Sequence, residues 1–159
     1  MTADAKLMVH ILTGFLGSGK TTLLNRLLSA GAYADTAVVV NELGEIGLDH
    51  LLITEKTDRI ALLEGGCLCC AVIDSLPETL LELCRMRSAG EVPAFSRIVI
   101  ETTGLADPGP ILEAVRRSPL LAHFLAPGVV VTALDMLAAG DLPARHPEAL
   151  RQIVLADRI

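Results

Sequence analysis

The sequence predicts an α/β domain with a doubly wound, mostly parallel sheet and helices on both faces, and three observations predict it. Aliphatic runs such as Ala37-Val38-Val39-Val40 and Arg97-Ile98-Val99-Ile100 are continuous rather than alternating, as in strands covered on both faces. Strand-like and helix-like segments alternate along most of the chain. The first apolar run ends in a glycine-rich loop, and leucines at helical spacing follow it.

Taken in order, Leu7 to Leu12 reads as a strand that leads into Thr13-Gly14. Lys20 to Ala30 reads as a helix with Leu23, Leu24, Leu27 and Leu28 at its spacing, and Gly31 can end it. Thr36 to Asn41 is a second strand. Glu42 to Asp58 is acidic, has Gly44 and Gly47 near its start, and reads as a loop with a short edge strand near Leu51 to Ile53. Arg59 to Leu63 is the next strand, and Glu64 to Ala71 is a tight loop. Asp74 or Ser75 can cap a helix from Leu76 to about Ser88, with Pro77 tolerated in its first turn. Ser96 to Glu101 is a strand, Thr102 to Asp107 a loop, and Pro108 to Arg117 a helix. Pro127 to Leu134 is a strand ending at Asp135. His146 to Asp157 is the last helix, with Leu150, Ile153 and Val154 on one side. Another buried strand is expected to start at Arg158-Ile159, so the domain reads as C-terminally incomplete.

Composition narrows the function. The 159 residues suit one domain, and a hydrophobic fraction of 52 % with 20 % charged residues excludes a disordered chain. A net charge of −6 argues against a broad nucleic-acid surface. No apolar run reaches the ~18 residues of a membrane span, and Met1 to Lys6 lacks a signal-peptide core. The expected compartment is the cytoplasm.

The pattern G-x-x-x-x-G-K-[ST] is met by Gly14, Gly19, Lys20 and Thr21 within Gly14-Phe15-Leu16-Gly17-Ser18-Gly19-Lys20-Thr21. By residue frequencies, roughly one chain of this length in two hundred would match by chance. Glycines let successive N–H groups point into one concavity, and the helix that starts at Lys20 adds its positive end. Lys20 is expected to reach the β and γ phosphates of a nucleoside triphosphate, and Thr21 to offer its hydroxyl to Mg²⁺. The fold class is thus that of a P-loop NTPase.

Two further segments suit the metal ion and the attacking water. Glu101-Thr102-Thr103-Gly104 follows a strand at its carboxyl end, where open parallel sheets bind ligands. Glu101 is a candidate magnesium or water contact, and the Gly104 N–H a candidate γ-phosphate contact. Asn41 to Asp49 is acidic and also follows a strand end, which suits a switch ordered by γ-phosphate and Mg²⁺.

Of four cysteines, Cys67, Cys69 and Cys70 lie within Gly65-Gly66-Cys67-Leu68-Cys69-Cys70. Most pairings among them have the wrong Cα separation for a disulfide. Thiolates so clustered suit Zn²⁺ or Cu(I), and Glu45, another chain or water can complete a tetrahedron. Small buried cysteines or a redox pair are the alternatives. Cys84 shares an apolar helix face with Leu80 and Leu83 and reads as core. His10, His50, His123 and His146 are scattered and read as structural or surface residues.

Together, Gly14–Thr22, Asn41–His50, Gly65–Cys70 and Glu101–Pro110 resemble the CobW family of P-loop GTPases, relatives of the nickel-insertion GTPases of urease and hydrogenase. The C-x-C-C triplet is the discriminating mark. The resemblance implies a GTPase that couples hydrolysis to delivery of zinc or cobalt to a client metalloprotein, with GTP and Mg²⁺ as its nucleotide and cofactor. It implies Gly17, Ser18, Gly19, Lys20, Thr21 and Thr22 as phosphate and magnesium contacts. It implies Asp49 and Glu101 as metal-ion or water contacts, Cys67, Cys69 and Cys70 as transition-metal ligands, and Glu45 as a helper ligand. The fold implied belongs to a class that includes dimeric nucleotide-switched ATPases, which leaves room for a homodimer. The family's guanine-reading segment and smaller C-terminal domain are expected beyond Ile159. Cobalamin synthesis, zinc supply and nitrile hydratase maturation stay open as the process served.

Two other function classes fit parts of the pattern. One is a P-loop ATPase or kinase with structural cysteines. The other is a regulatory module that senses nucleotide without turnover.

Overall fold

The structure is a computed structural model that describes residues 6–31, 33, 35–41, 51–54, 60–62, 76–137, 140 and 142–159. Its sheet has six strands in the order β4-β3-β2-β5-β1-β6. These are β1 (Leu7–Thr13), β2 (Thr36–Asn41), β3 (Leu51–Thr54), β4 (Ile60–Leu62), β5 (Arg97–Thr102) and β6 (Leu125–Thr132). The helices are α1 (Lys20–Ser29), α2 (Leu76–Ala89), α3 (Gly109–Arg117), α4 (Leu121–Phe124), α5 (Leu142–Arg145) and α6 (Pro147–Val154).

β2, β5, β1 and β6 form a parallel block, with Leu12 beside Glu101 and Thr13 beside Thr132. β3 and β4 extend it as antiparallel strands. The continuous apolar runs explain the block, because alternate residues feed two separate cores. Val9, Ile11, Ile98 and Ile100 pack with Leu80, Leu83, Ile111 and Val115 on the α2–α3 side. Leu12, Val38 and Val99 pack with Leu24 and Leu28 of α1 on the other. The doubly wound sheet with helices on both faces is therefore observed. Cys84 is buried in the first core, as its helix face requires.

Several local readings need correction. The strand near Leu51 is not at the edge, because β4 pairs outside it. β6 begins at Leu125, two residues before Pro127, and ends at Thr132. A parallel strand tolerates proline where its missing N–H is not needed, and β6 is irregular there: its register against β1 shifts between Val9 and Ile11. α4 and α5 are single turns too short to show a periodicity. In α6 the buried residues are Ala149 and Gln152, whereas Leu150 and Val154 are exposed. Leu150 and Val154 thus face outward, Ile153 is half-buried, and a polar residue faces in beside Ala149.

The expectation for the end of α1 is met. Gly31 follows α1 with φ 71°, the left-handed conformation that ends helices. At the far end Arg158 bridges Val131 in parallel, and Thr132 N–H donates to the Arg158 carbonyl at 2.9 Å, but Arg158 and Ile159 are exposed where a buried strand is expected to start. The expected cap of α2 at Asp74 or Ser75 lies outside the described residues. Among the described residues no helix is long and apolar enough to cross a membrane.

Candidate functional site

The site is built where β1, β5 and β6 end together. Gly14, Gly17 and Gly19 take φ of 142°, 75° and 87°, values that side-chain-bearing residues rarely adopt. Gly14 also has no room for a side chain: a Cβ there would lie 2.2 Å from the Ala133 carbonyl oxygen and 2.8 Å from Ser18 Oγ. Gly19 is the N-cap of α1 and supplies no side-chain cap, and the first turn holds no acidic residue. The positive end of α1 is therefore left for an external anion. The Ser18 hydroxyl is buried with no hydrogen-bond partner among the described residues. An unpartnered donor, a loop whose first glycine admits no Cβ and an uncapped helix start all fit a polyphosphate.

Lys20 completes that fit. Its side chain turns inward, with Nζ donating to the Gly14 carbonyl at 2.9 Å and the Phe15 carbonyl at 3.1 Å. Burial lowers the Lys20 pKa, and the Glu101 carboxylate opposes that shift. A desolvated ammonium bonded to neutral carbonyls gains from the arrival of an anion.

Thr21 Oγ1 donates to Glu101 Oε1 at 2.5 Å, joining residues 80 positions apart. Glu101 is buried, at 5 % exposure. Behind it the Thr102 hydroxyl donates to that of Thr13 at 2.8 Å, both buried. A hydroxyl and a carboxylate side by side form an oxygen-donor pair suited to Mg²⁺. Gly104 lies against the phosphate loop, where a Cβ would stand 2.6 Å from Leu16 N and 2.7 Å from Leu16 Cα. Thr22 lies in the first turn of α1 and is exposed.

The Glu101 loop is held from behind by α6 and α3. Gln152 Nε2 donates to the carbonyls of Gly104 at 3.1 Å and Ala106 at 2.9 Å. Asp107 Oδ1 accepts the Gly109 N–H at 2.9 Å, and its Oδ2 accepts from Arg151 at 2.6 Å. Burial pushes the Asp107 carboxyl up, but the Gly109 N–H and the Arg151 guanidinium outweigh it and hold it below the ordinary value. A folded pKa below the unfolded one contributes stability above the unfolded value of about 3.9, lost as pH falls through the folded value. Asp107→Asn is therefore expected to lower the melting temperature at neutral pH. The gap from the parent should close as pH falls below about 4. A gap that does not change with pH would contradict the role of this carboxylate.

Gly14, Gly17, Ser18, Gly19, Lys20, Thr21, Glu101 and Gly104 are thus gathered at one end of the sheet. Glu45, Asp49, Cys67, Cys69 and Cys70 lie outside the described residues. Among the described residues no group of three His, Cys, Asp or Glu is arranged to hold a metal ion. His10 accepts the Val129 N–H at 3.2 Å, and His146 stands at the N-cap position of α6 with no side-chain cap bond, its ring 4.5 Å from that of Phe15. Both match the structural role expected of them. Burial and, less so, Arg97 lower the His10 pKa.

A family model described as the CobW/HypB/UreG nucleotide-binding domain matches residues 8–159. The chain belongs to this family. It is 38 % identical over 151 residues to the zinc chaperone YjiA of Escherichia coli K12, covering 95 % of this chain and 47 % of YjiA. It is also 38 % identical over 163 residues to the zinc chaperone CobW of Pseudomonas aeruginosa, covering 96 % and 42 %. The crystal structure of Zn(II)-bound YjiA GTPase from E. coli aligns with a TM-score of 0.72 at 36 % identity, covering 98 % of this chain and 48 % of that one. The chain spans less than half the length of these curated relatives.

Against this CobW/HypB/UreG background, the residues that sequence reading missed are Gln152, Arg151 and Asp107. Gln152 and Arg151 sit in no motif, and Asp107 lies in the Glu101–Pro110 segment without a role assigned to it there. Gln152 stands between Arg151 and Ile153 on a helix whose exposed side carries leucine and valine, so no periodicity marks it as buried.

Proposed function

We propose that this chain is the nucleotide-binding part of a GTP-binding and GTP-hydrolysing metallochaperone. Nucleotide state would govern binding of a transition metal, zinc or cobalt, and its delivery to a client metalloprotein. The observation that carries this reading is the Thr21 hydroxyl on the Glu101 carboxylate beside an inward-turned Lys20. It supplies the magnesium donors and the phosphate cation of a nucleotide hydrolase at one strand end.

In this reading the amides of Gly17, Ser18 and Gly19 and the start of α1 hold the phosphates. Lys20 exchanges its carbonyl partners for β and γ phosphate oxygens. Thr21 and Glu101 hold Mg²⁺, which when bound neutralises charge on the transferring phosphate. Glu101 and Asp49 orient water, and the Gly104 N–H meets the γ-phosphate. Thr22 contacts phosphate from the first turn of α1. Cys67, Cys69 and Cys70, helped by Glu45, take the cargo metal. Support for that assignment is the C-x-C-C pattern and the naming of YjiA and CobW as zinc chaperones. The guanine-reading segment is assigned to chain beyond residue 159, and the compartment to the cytoplasm, where thiols stay reduced. A homodimer, and a chain without nucleic-acid or membrane partners, complete the reading.

The test is zinc and cobalt titration of the full chain with a GTP analogue, with GDP and without nucleotide. A coupled switch gives metal affinities that differ by about 5–150-fold between nucleotide states. Identical affinities in all three states sink the coupling. Preference for ATP, with turnover intact after alanine replaces all three clustered cysteines, would favour an ATPase with structural thiols.

A further inference from the structure

Gln152 is a buried polar side chain that this mechanism leaves without a task. It is 1 % exposed, on the inward face of α6. A buried amide is unfavourable unless its hydrogens find acceptors, so an apolar residue would fill that space at lower cost. Here Nε2 has two acceptors, the carbonyls of Gly104 and Ala106. The main-chain carbonyl of Gln152 in turn accepts the Thr132 hydroxyl at 2.7 Å. Thr132 pairs with Thr13, the residue before the phosphate loop. One residue thus links the ends of β6 and β1 to the loop that follows Glu101.

We infer that Gln152 is a positioning residue: it sets the main chain of residues 104–106 for a γ-phosphate and so determines how strongly the protein prefers a nucleoside triphosphate to a diphosphate. The inference rests on the proposed nucleotide site and assigns its phosphate discrimination to a helix outside the motifs. A peptide group is planar and trans, so a carbonyl drawn toward α6 sends the following N–H to the opposite side. Two such anchors fix the 104–105 and 106–107 peptide planes, and the Ala106 N–H on the Thr103 carbonyl ties the 105–106 plane to the 103–104 plane that carries the Gly104 N–H. The turn closed by the Ala106 N–H on the Thr103 carbonyl at 3.2 Å is thereby held in one shape. Gly104 can then keep its close approach to Leu16. The α- and β-phosphates rest on the glycine loop, which Gln152 does not touch, so a diphosphate does not need this support.

The experiment measures affinities of the full chain for a non-hydrolysable GTP analogue and for GDP, both with Mg²⁺, in the parent, Gln152→Met and Gln152→Asn. Methionine keeps the length and removes both donors. Asparagine keeps the donors one methylene short and leaves the fold less disturbed. Gln152→Met is expected to lose about tenfold or more in analogue affinity with GDP affinity unchanged, and Gln152→Asn to fall between it and the parent. Equal losses for both nucleotides would mean a merely structural role and overturn the inference, as would parental discrimination in both variants. If Gln152→Met does not fold, the asparagine variant decides by the same ratio. A parent protein that binds neither nucleotide sinks the functional reading itself; a parent that discriminates while both variants match it sinks this inference alone.

Discussion

Lys20→Ala is expected to lower triphosphate affinity of the full chain about a hundredfold or more, with little change in the melting temperature of the nucleotide-free protein. The two effects separate because the lysine has different partners in the two states. Without nucleotide, Nζ donates to the carbonyls of Gly14 and Phe15. Alanine removes those bonds but also removes a desolvated charge, and the two changes oppose each other. With nucleotide, the ammonium would meet phosphate oxygens, and charge-assisted bonds contribute about 1.5–3 kcal/mol each. Two of them at the low end give about 3 kcal/mol, or two decades of affinity. Lys20→Arg should not rescue binding, because a planar guanidinium differs in shape and donor geometry from a point ammonium. Calorimetry reads both variants. Parental affinity in Lys20→Ala would end the phosphate assignment.

Gly104→Ala is expected to lower GTP hydrolysis about a hundredfold, for a reason absent from the motif itself. The added methyl would stand 2.6 Å from Leu16 N and 2.7 Å from Leu16 Cα. The Leu16 side chain, 59 % exposed, can swing aside, but its backbone cannot move without the phosphate loop. Overpacking of this kind costs about 1–3 kcal/mol in stability. A loop displacement of about 1 Å at a reacting centre can cost a hundredfold in rate. Gly17→Ala is the informative contrast. Gly17 has φ 75° but nothing within 4 Å of the added Cβ, so only backbone strain of about 1 kcal/mol opposes it. Single-turnover hydrolysis and thermal melts of both variants make the comparison. Full activity in Gly104→Ala would show that the two loops are not in the tight contact described.

Much of this organisation is legible in the chain because its signals are local. Continuous aliphatic runs mark β2 and β5 because each strand is covered on both faces and needs no polar side. Gly14, Gly19, Lys20 and Thr21 are legible because a polyphosphate cradle needs glycine conformations, a cation and a hydroxyl at set intervals. Glu101 is legible from its position at a strand's carboxyl end. α4 and α5 are not, since four residues cannot establish a period. α6 is misleading, because its apolar Leu150 and Val154 point outward while Gln152 points in.

The sequence by itself determined the alternation of strands and helices, the phosphate loop and a carboxylate at the end of the strand Arg97–Thr102, for these depend on neighbours a few residues apart. Only the tertiary structure decided that Thr21 meets Glu101, that Gly104 backs onto Leu16, and that Gln152 holds the loop between them. Those contacts join residues 80, 88 and 48 positions apart. Their partners are largely main-chain atoms, which every residue carries alike, so no choice of side chain announces them.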